Sequence, residues 1–541
     1  MKAILDYKID HNQQAFLDLI LEIDEICRKY DIRYTLGYGT LLGAIRHGGF
    51  IPWDNDIDIN MSEQDYNKFV EACRRELDGK NRILCDSRIL RGYPKVYGRY
   101  YDLNCCRLSD KVNYWENICG RGVDIFYQLE VPPGEQGQEY IDYFYAYDEY
   151  VNGVYRHYRM KPDRVMAFYR EAQAREKQVG RLKTLEEMES RIFNRHFDGA
   201  EWLVDSSARY TSPNPISRKA YYEHPKRVMF EGHLLPVPGD YLEVLRNLYG
   251  DDFNLFPAEP KFITEVTYDG FPYRDCLTDF MQYLDKEELE RAHRAYKEAA
   301  VEAGRRSTEI MTAFYQAYAV SIKNHILQRI EKEQLDLPGL LRDGGMDARK
   351  KLDALFDEYY SRQIAESPLY WRCLFDIGDE LLDAALHHLF YNRKEKAGVV
   401  KLLRLLRQNG HALSPKMQEI QTAMDMIWNC RKAFYYKEYE SARQYGEKCI
   451  EQYGEQQEVT EVMIQIEYAL AASADERRAC EEHVSKLLGK DPKNAYYRKV
   501  CADLLYDEGR RQAAKKIYDD LMDTCLDGML LLDVKHRLTA E

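Results

Sequence analysis

The sequence predicts an α+β domain followed by an all-α domain. Strand-like runs alternate with amphipathic helices through the first half of the 541 residues. From about residue 276 onward Gly and Pro become sparse, and helical periodicity alone continues to the end. We therefore place the boundary so that residues 1–275 form the mixed domain and residues 276–541 the helical one. A chain of this length is too long for a single hydrophobic core.

The sequence of the first half predicts a helix, a set of strands, a helical insert and a loop with a short helix, in that order. The apolar residues of 13–30 recur at helical spacing. Short apolar runs bounded by turn residues then predict strands at 32–38, 56–61, 82–90, 94–101 and 123–129. Residues 135–200 are rich in Tyr, Arg and Glu at helical spacing and predict a helical insert. A Pro- and Gly-containing loop at 235–240 precedes a short helix at 241–248.

The second half carries a degenerate repeat signal near its end. Gly509, Ala514 and Tyr518 stand where a tetratricopeptide helix pair places its small and aromatic packing residues, and Pro492 stands where the preceding repeat would end. Residues 439–442 are consistent with an earlier copy. Plain helical hairpins explain the same spacing equally well, so both interpretations stay open. Either one predicts a stack of helices with a grooved surface for a protein partner or a glycan.

Charge and composition exclude several classes of protein. The net charge of −14 argues against general nucleic-acid binding. No apolar run of about 18 residues predicts a membrane span, and the first twelve residues lack the core of a signal peptide. The 13 cysteines are scattered without a C-x-x-C pair, which argues against structural zinc. We expect a cytoplasmic protein, either free or peripheral at the inner membrane face.

Asp56 and Asp58 are the first candidates for chemistry. They lie two residues apart on a predicted strand, so their side chains should share a face. Two neighbouring carboxylates repel unless a cation lies between them, and their oxygen atoms suit Mg²⁺ or Mn²⁺. Most isolated pairs of this kind are solvated surface groups. Here Ile57 and Ile59 flank them on a partly buried strand.

A glycine-containing turn precedes the aspartates. Gly37 and Gly39 allow close approach of the backbone to a ligand, and Thr40 is predicted to cap the helix that follows. Free N–H groups at a helix start can hold a phosphate. A phosphate cradle beside a metal-binding pair predicts a phosphoryl-transfer site.

Further side chains are candidates for the same site. Asp124, in an otherwise apolar strand, is the candidate third carboxylate, and Asp54 shares the parity of Asp56 and Asp58. The side chains that could hold donor phosphates are Arg46, His47, Lys95 and Arg99. The alternatives are a strand-end aspartate facing water and ordinary loop salt bridges.

Residues 34–58 read YTLGYGTLLGAIRHGGFIPWDNDID, which closely resembles the signature of the LicD family, the phosphocholine-transferase group that includes the fukutin-related proteins. The segments around Asp124, 238–241 and 248–252 resemble the family as well. The resemblance covers roughly residues 10–260. Asn55 stands where the family often has Asp, but position 55 points away from the face of its two neighbours, so we expect activity to survive.

The resemblance implies a nucleotidyltransferase-type mixed sheet and a reaction. A phospho-alcohol such as phosphocholine or phosphoribitol would pass from a cytidine-diphosphate donor, such as CDP-choline, to a sugar hydroxyl of a glycan or lipid-linked acceptor, as in modification of lipopolysaccharide or teichoic acid. By position, Asp56 and Asp58 would bind Mg²⁺ or Mn²⁺ with Asp124 as third ligand, and Gly39 and Thr40 would hold donor phosphate. If choline is carried, tyrosines of 140–158 could surround its ammonium group.

Two rival functions use the same residues. A true nucleotidyltransferase would attach a nucleotide to a small acceptor and release pyrophosphate. A non-catalytic helical-repeat scaffold would carry a degenerate catalytic domain, although the presence of both strand aspartates argues against that.

Overall fold

The computed structural model describes most of the first half of the chain and the last 160 or so residues. The described residues are 7–91, 93, 95–108, 120–152, 163–207, 216–257, 266–269, 379–394, 396–408 and 411–539, with isolated positions at 328, 331, 332 and 351. The chain divides into two compact units. One comprises Asp6–Tyr249 and Pro257–Glu309, and the other comprises Met1–Leu5, Gly250–Phe256 and Ile310–Glu541. The predicted boundary near residue 275 lies outside the described residues.

A mixed sheet organises the first unit, as the sequence predicts. Its strands are β1 (Thr35–Leu36), β2 (Asp58–Ser62), β3 (Arg82–Cys85), β4 (Gly98–Asp102), β6 (Arg121–Val131), β7 (Trp202–Asp205) and β8 (Ile216–Arg218). The strand order is β1-β2-β6-β4-β3, and β7 also pairs with β6 and carries β8. Only β2 and β6 run parallel; the other pairs are antiparallel.

The two faces of the sheet differ sharply in chemistry. On one face Ile59, Met61, Ile125, Tyr127 and Leu129 are almost completely buried. Helices α1 (His11–Lys29) and α3 (Glu63–Glu76) pack on this face. The opposite face carries polar side chains at the alternate positions, among them those of Asp58, Asn60, Asp124, Gln128 and Asp205. The sheet therefore has a core face and a polar face.

The remaining elements of the first unit surround this sheet. They are α2 (Tyr38–Arg46), the strand pair β5 (Cys105–Leu108) with β11 (Val266–Asp269), the helical insert α4 (Gln136–Asn152), α5 (Asp163–Val179) and α6 (Arg181–Ile192), the hairpin β9 (Lys226–Phe230) and β10 (His233–Val237), and α7 (Tyr241–Tyr249). The predicted helices at 13–30, 135–200 and 241–248 are confirmed.

Several strand predictions need correction. Pairing along 32–38 is limited to β1, and the pairing of 82–90 ends at Cys85, where the chain enters a turn. Residues 235–237, predicted as loop, belong to β10; this two-stranded hairpin accommodates Pro236 without needing its missing N–H for a further strand. Strands β5, β7, β8, β9, β10 and β11 were not predicted.

Helices make up the second unit wherever the structure describes it after residue 379. They are α8 (Asp379–His387), a π-helical turn (His388–Arg393), α9 (Lys396–Gln408), α10 (Pro415–Tyr435), α11 (Tyr439–Tyr453), α12 (Gln457–Leu470), α13 (Ala474–Lys490), α14 (Ala495–Asp507), α15 (Arg511–Thr524) and α16 (Gly528–Thr539). Gly509 has a positive φ of 81° in the turn between α14 and α15, and Ala514 and Tyr518 are buried. These facts confirm helical hairpins; the tetratricopeptide assignment and the role of this unit stay predictions.

The segment Gly250–Phe256 packs among the helices of the second unit. The Phe256 N–H donates to the Leu526 carbonyl over 2.8 Å. The Arg431 guanidinium donates to the Asn254 side chain over 3.0 Å. Among the helices that the structure describes, none has the combination of length and apolar composition that crossing a bilayer requires.

Candidate active site

The parallel register of β2 and β6 brings two predicted site residues side by side. Asp58 is the first residue of β2, and its register partner on β6 is Asp124. The Asp124 N–H donates to the Ile57 carbonyl over 2.9 Å, so the ladder begins just before Asp58. The observed strand therefore begins two residues later than the predicted one at 56–61. Asp56 lies in the segment just before it.

The turn at the start of α2 makes two hydrogen bonds to the backbone of Asp58. The Gly37 N–H donates to the Asp58 carbonyl, and the Asp58 N–H donates to the Thr40 hydroxyl, each over 2.9 Å. Thr40 was predicted as the helix cap. The helix instead starts at Tyr38 with Gly37 in the capping position, because the Thr40 hydroxyl is engaged by the strand. Thr40 thus joins the turn to the first residue of β2.

Tyr38 holds the turn in an unusual backbone conformation. Its φ of 44° lies in the left-handed region, which is strained for a residue with a side chain. Its buried hydroxyl contacts Asp205 and, at 2.8 Å, Ser207. Its ring packs edge-on against Phe126 with centroids 5.0 Å apart. These contacts over-determine the position of the turn, which is the usual condition for strain at functional sites.

Gly39 lies against the carboxylate of Asp54. A Cβ atom added at Gly39 would come within 2.5 Å of Asp54 Oδ2, so any larger residue would force the Asp54 carboxylate to shift. Burial raises the pKa of Asp54 well above its ordinary value, and the neighbouring Asp56 charge and a hydrogen bond between the two carboxyl groups raise it further. The Asp54 carboxyl thus lies beside that of Asp56, although β2 begins only at Asp58 and neither residue is on the strand; a role for Asp54 in the site stays a prediction.

Tyr249, at the end of α7, was not singled out in the sequence as a site residue. Removal of its hydroxyl from water raises its pKa, and the charges of Asp58, Asp54 and Asp56 raise it further. The phenol is therefore near enough to the three aspartates for their charges to act on it, and 39% of the residue's surface is exposed. Its segment, 248–252, resembles the family, but the separation of about 190 residues from the aspartates gave no sign that Tyr249 lies near them.

Arg46 and His47 end α2 in a poorly solvated environment. Burial lowers the pKa of Arg46 to about 10, which still leaves it charged at neutral pH. Burial and the nearby Arg46 charge lower the pKa of His47 to about 3, so its imidazole is neutral there. The His47 ring stands edge-on to Trp53 with centroids 5.9 Å apart. Of the pair, only Arg46 supplies positive charge.

Arg99 is paired with Asp124 in this structure. The two residues are register partners on β4 and β6, and Arg99 Nε lies 2.7 Å from Asp124 Oδ1 as an ion pair without aligned hydrogen-bond geometry. Burial opposes the charged form of Arg99, but Asp124 and nearby tyrosines raise its pKa well above the ordinary value. The Lys95 ammonium lies 5.6 Å from the centroid of the Tyr97 ring.

Most tyrosines in the described part of 140–158 are buried. Tyr143, Tyr145, Tyr147 and Tyr150 are all less than 10% exposed, because they pack within the helical insert. Side chains from 152 to 158 lie outside the described residues. A tyrosine box from 140–158 therefore stays a prediction.

The site as a whole combines clustered carboxylates with a tight turn and a buried guanidinium. Within the described residues, no three His, Cys, Asp or Glu side chains are already arranged as a metal-binding group. The paired carboxyls of Asp54 and Asp56, together with the register partners Asp58 and Asp124, nevertheless fit a divalent cation, because adjoining carboxyl groups carry an electrostatic cost that a cation removes.

Comparison with known proteins finds a family model that matches part of the first unit. Residues 31–186 match the family model described as the LicD/FKTN/FKRP nucleotidyltransferase domain. The chain is 26% identical to the lipopolysaccharide cholinephosphotransferase LicD of Haemophilus influenzae over 269 residues, which are 46% of this chain and 92% of that protein. It is 40% and 45% identical to uncharacterized proteins of Rickettsia typhi and Rickettsia prowazekii, of which it spans only 30% and 24%.

Proposed function

Residues 31–186 belong to the LicD family, and on that premise we propose that the chain transfers a phospho-alcohol from a CDP-linked donor to a hydroxyl of a glycan or lipid-linked sugar. The name of the Haemophilus influenzae relative makes phosphocholine the first group to test and lipopolysaccharide the first acceptor. We place the reaction in the cytoplasm, with association at the inner membrane face included in the proposal.

One observation carries the proposal: Asp58 and Asp124 adjoin on the polar face, beside a turn that is packed against Asp54. Two solvated aspartates on a protein surface would not be packed against a turn in this way. Asp54, Asp56 and Asp58 are half-buried, and their charges raise the pKa of the nearby Tyr249 phenol. This concentration of negative charge is costly without a cation.

We assign the cation to Asp56 and Asp58, with Asp124 as the third ligand. Carboxylate oxygens suit Mg²⁺ or Mn²⁺, and such an ion, when bound, neutralises charge on a donor pyrophosphate. Asp124 is paired with Arg99. The proposed third metal ligand therefore has a guanidinium beside it. Either Asp58 or Asp124 would accept the proton of the attacking hydroxyl.

The donor phosphates are assigned to the start of α2. The N–H groups of Gly39 and Thr40 fall in its first turn, where helical N–H groups lack partners within the helix and favour anions. Arg46 supplies buried positive charge from the end of the same short helix. Lys95 and Arg99 remain further candidates for phosphate contact.

The test is turnover of defined donors by the full chain. CDP-choline, CDP-ribitol and CDP-glycerol would each be incubated with Mg²⁺ and lipopolysaccharide or teichoic acid, with release of CMP measured. Release of CMP with labelled alcohol on the acceptor supports the proposal. Release of pyrophosphate from a nucleoside triphosphate instead would identify a nucleotidyltransferase.

The matched variants are Asp58→Asn and, as control, the exposed Asp18→Asn on α1. Both remove one carboxylate charge, but only the first should abolish transfer. Equal turnover by the two variants would contradict the assignment of the site.

A further inference from the structure

A cavity of about 670 Å³ opens on the polar face of the sheet at the far end of β2 and β6. Its wall includes Thr35, Asn60 and Gln128, and it does not include the aspartates assigned to transfer. Asn60 lies two residues beyond Asp58, or about 7 Å along the strand. Glu130, also in the wall, lies six residues beyond Asp124, or about 20 Å. The cavity therefore runs away from the aspartates along the same face.

The carboxylates of the cavity wall are already neutralised by neighbours. Glu130 accepts hydrogen bonds from Lys219 over 2.7 Å and from the Phe197 N–H over 3.1 Å, and it contacts His196 Nδ1 at 2.8 Å. Glu63 accepts from the Asn194 N–H over 3.0 Å. A charged ligand of either sign would have to compete with these existing partners.

A third carboxylate follows the same rule. The Asp65 carboxylate accepts a hydrogen bond from the hydroxyl of its helix cap, Ser62, and lies 3.4 Å from the Lys68 ammonium and 3.6 Å from Arg33. These three carboxylates are thus engaged, and the uncharged groups on the strands remain for recognition of a ligand.

Uncharged hydrogen-bonding groups line the floor at the strands. Asn60 is 4% exposed, Gln128 is 7% exposed and Thr35 is 5% exposed. Thr35 and Asn60 are register partners on β1 and β2, so their side chains share the polar face. The Thr35 hydroxyl has no hydrogen-bond partner among the described residues, although a buried polar group without a partner is costly. A ligand hydroxyl in the cavity would satisfy it.

We propose that this cavity binds an uncharged sugar or polyol unit, separate from the aspartates that carry the transfer. Carboxamides offer both donors and acceptors, as do the hydroxyl groups of a sugar, so the two match without any net charge. The half-buried Tyr222 ring in the wall adds an aromatic surface for the apolar face of a sugar ring. As the source of the unit we name the acceptor glycan, at a position remote from its reacting hydroxyl; this choice rests on the proposed function.

The test measures binding by the full chain without donor or divalent cation. Saturation-transfer NMR and calorimetry would compare glucose, galactose and ribitol with neutral oligosaccharides and with glucose 6-phosphate and glucosamine. We expect the neutral ligands to bind and the charged ones to bind at least tenfold more weakly. No binding by any neutral ligand would overturn the proposal, as would competition by CMP, which would make the cavity part of the nucleotide site.

Two variants with matched controls link binding to the cavity. Thr35→Val removes the hydroxyl while keeping the shape, and its control is the exposed Thr422→Val on α10. Gln128→Glu adds a carboxylate to the floor, and its control is the exposed Gln418→Glu. We expect about tenfold weaker binding for each cavity variant, since one hydrogen bond to a buried group is lost or opposed, and no change for the controls. Unchanged affinity in folded Thr35→Val and Gln128→Glu proteins would refute the site.

The source of the sugar is decided in the same experiment. Tighter binding of oligosaccharides than of single sugars or polyols supports a glycan chain as the occupant. Equal affinity for oligosaccharides and single units would exclude a glycan chain as the preferred occupant. Failure of this proposal is distinct from failure of the proposed function: Asp58→Asn should lose CMP release and keep sugar binding, because Asp58 does not line the cavity.

Discussion

Asp58 and Asp124 are register partners on parallel strands, and Arg99 is the register partner of Asp124 on the other side. The three residues form a row across β2, β6 and β4, with neighbouring strands about 4.8 Å apart. The order of charges along this row is negative, negative, positive. Asp124 therefore lies between the carboxylate assigned to metal binding and a buried guanidinium.

Replacing Asp124 with Asn should destabilise the first unit. The variant leaves Arg99, whose side chain is 10% exposed, without its carboxylate. Loss of one partner of a buried ion pair costs about 3 kcal/mol of unfolding free energy. Urea unfolding of Asp124→Asn and of the exposed Asp18→Asn control would measure the difference. A loss no larger than that of the control would show that Arg99 does not depend on this pair.

Gly39→Ala should damage the turn beside Asp54. The added Cβ would meet the Asp54 carboxylate at 2.5 Å, and we expect a loss of about 1–3 kcal/mol together with loss of transfer. Gly489→Ala in α13 is the control, because nothing lies within 4 Å of its added Cβ. That change should stabilise its helix by about 0.5–1 kcal/mol. Thermal unfolding and CMP release measure both effects, and a neutral Gly39→Ala would contradict the close approach.

Tyr38→Phe should loosen the turn without changing its shape. The phenol contacts the buried Asp205 and Ser207, and its loss leaves polar groups unsatisfied at a cost of about 1–3 kcal/mol. Because the turn carries Gly39, the Michaelis constant for donor should rise. The control is Tyr30→Phe, whose hydroxyl contacts Glu76 at the surface. Equal stability and kinetics in the two variants would mean that the Tyr38 hydroxyl does not position the turn.

His47 should contribute to acid destabilisation. Its folded pKa of about 3 lies below the ordinary value of 6.5, so on acidification the unfolded chain takes up a proton that the folded chain does not. Stability present above pH 6.5 is thus lost as pH falls from 6.5 towards 3, at up to about 1.4 kcal/mol per pH unit. His47→Gln should lose less stability than the natural protein between pH 6.5 and 4.5 in urea titrations. The exposed His233→Gln is the control, and parallel curves for His47→Gln and the natural protein would contradict the prediction.

Divalent cations should stabilise the natural protein through the aspartates. At a Mn²⁺ concentration a hundredfold above the dissociation constant, linkage adds about 2.7 kcal/mol. The double variant Asp56→Asn, Asp58→Asn should lose this gain and should unfold no earlier than the natural protein without metal, because it removes carboxylate repulsion. The measurement is the rise in melting temperature on addition of Mn²⁺ or Mg²⁺. A rise that persists in the double variant would place the ion elsewhere.

Local patterns in the sequence were sufficient for much of the fold. The stripe of Phe16, Ile20, Ile23 and Cys27 predicted α1, because residues at helical spacing reach the same side whatever lies opposite. The apolar run at 123–129 predicted β6, and the turn and the aspartates of 34–58 were found because they lie within one short segment. Strands β7 to β10 were missed, since short strands depend on partners far away in the chain.

The sequence by itself therefore determined the order of the domains, the main helices and the segment that carries the aspartates. Only the tertiary structure decided that Thr40 binds the Asp58 backbone, that Arg99 pairs with Asp124 and that Tyr249 lies near the aspartates. The physical reason is range. Periodicity and turn chemistry act over a few neighbouring residues, whereas pairing register and burial bring together side chains that are separated by tens to hundreds of positions, and those set the charges and contacts of the site.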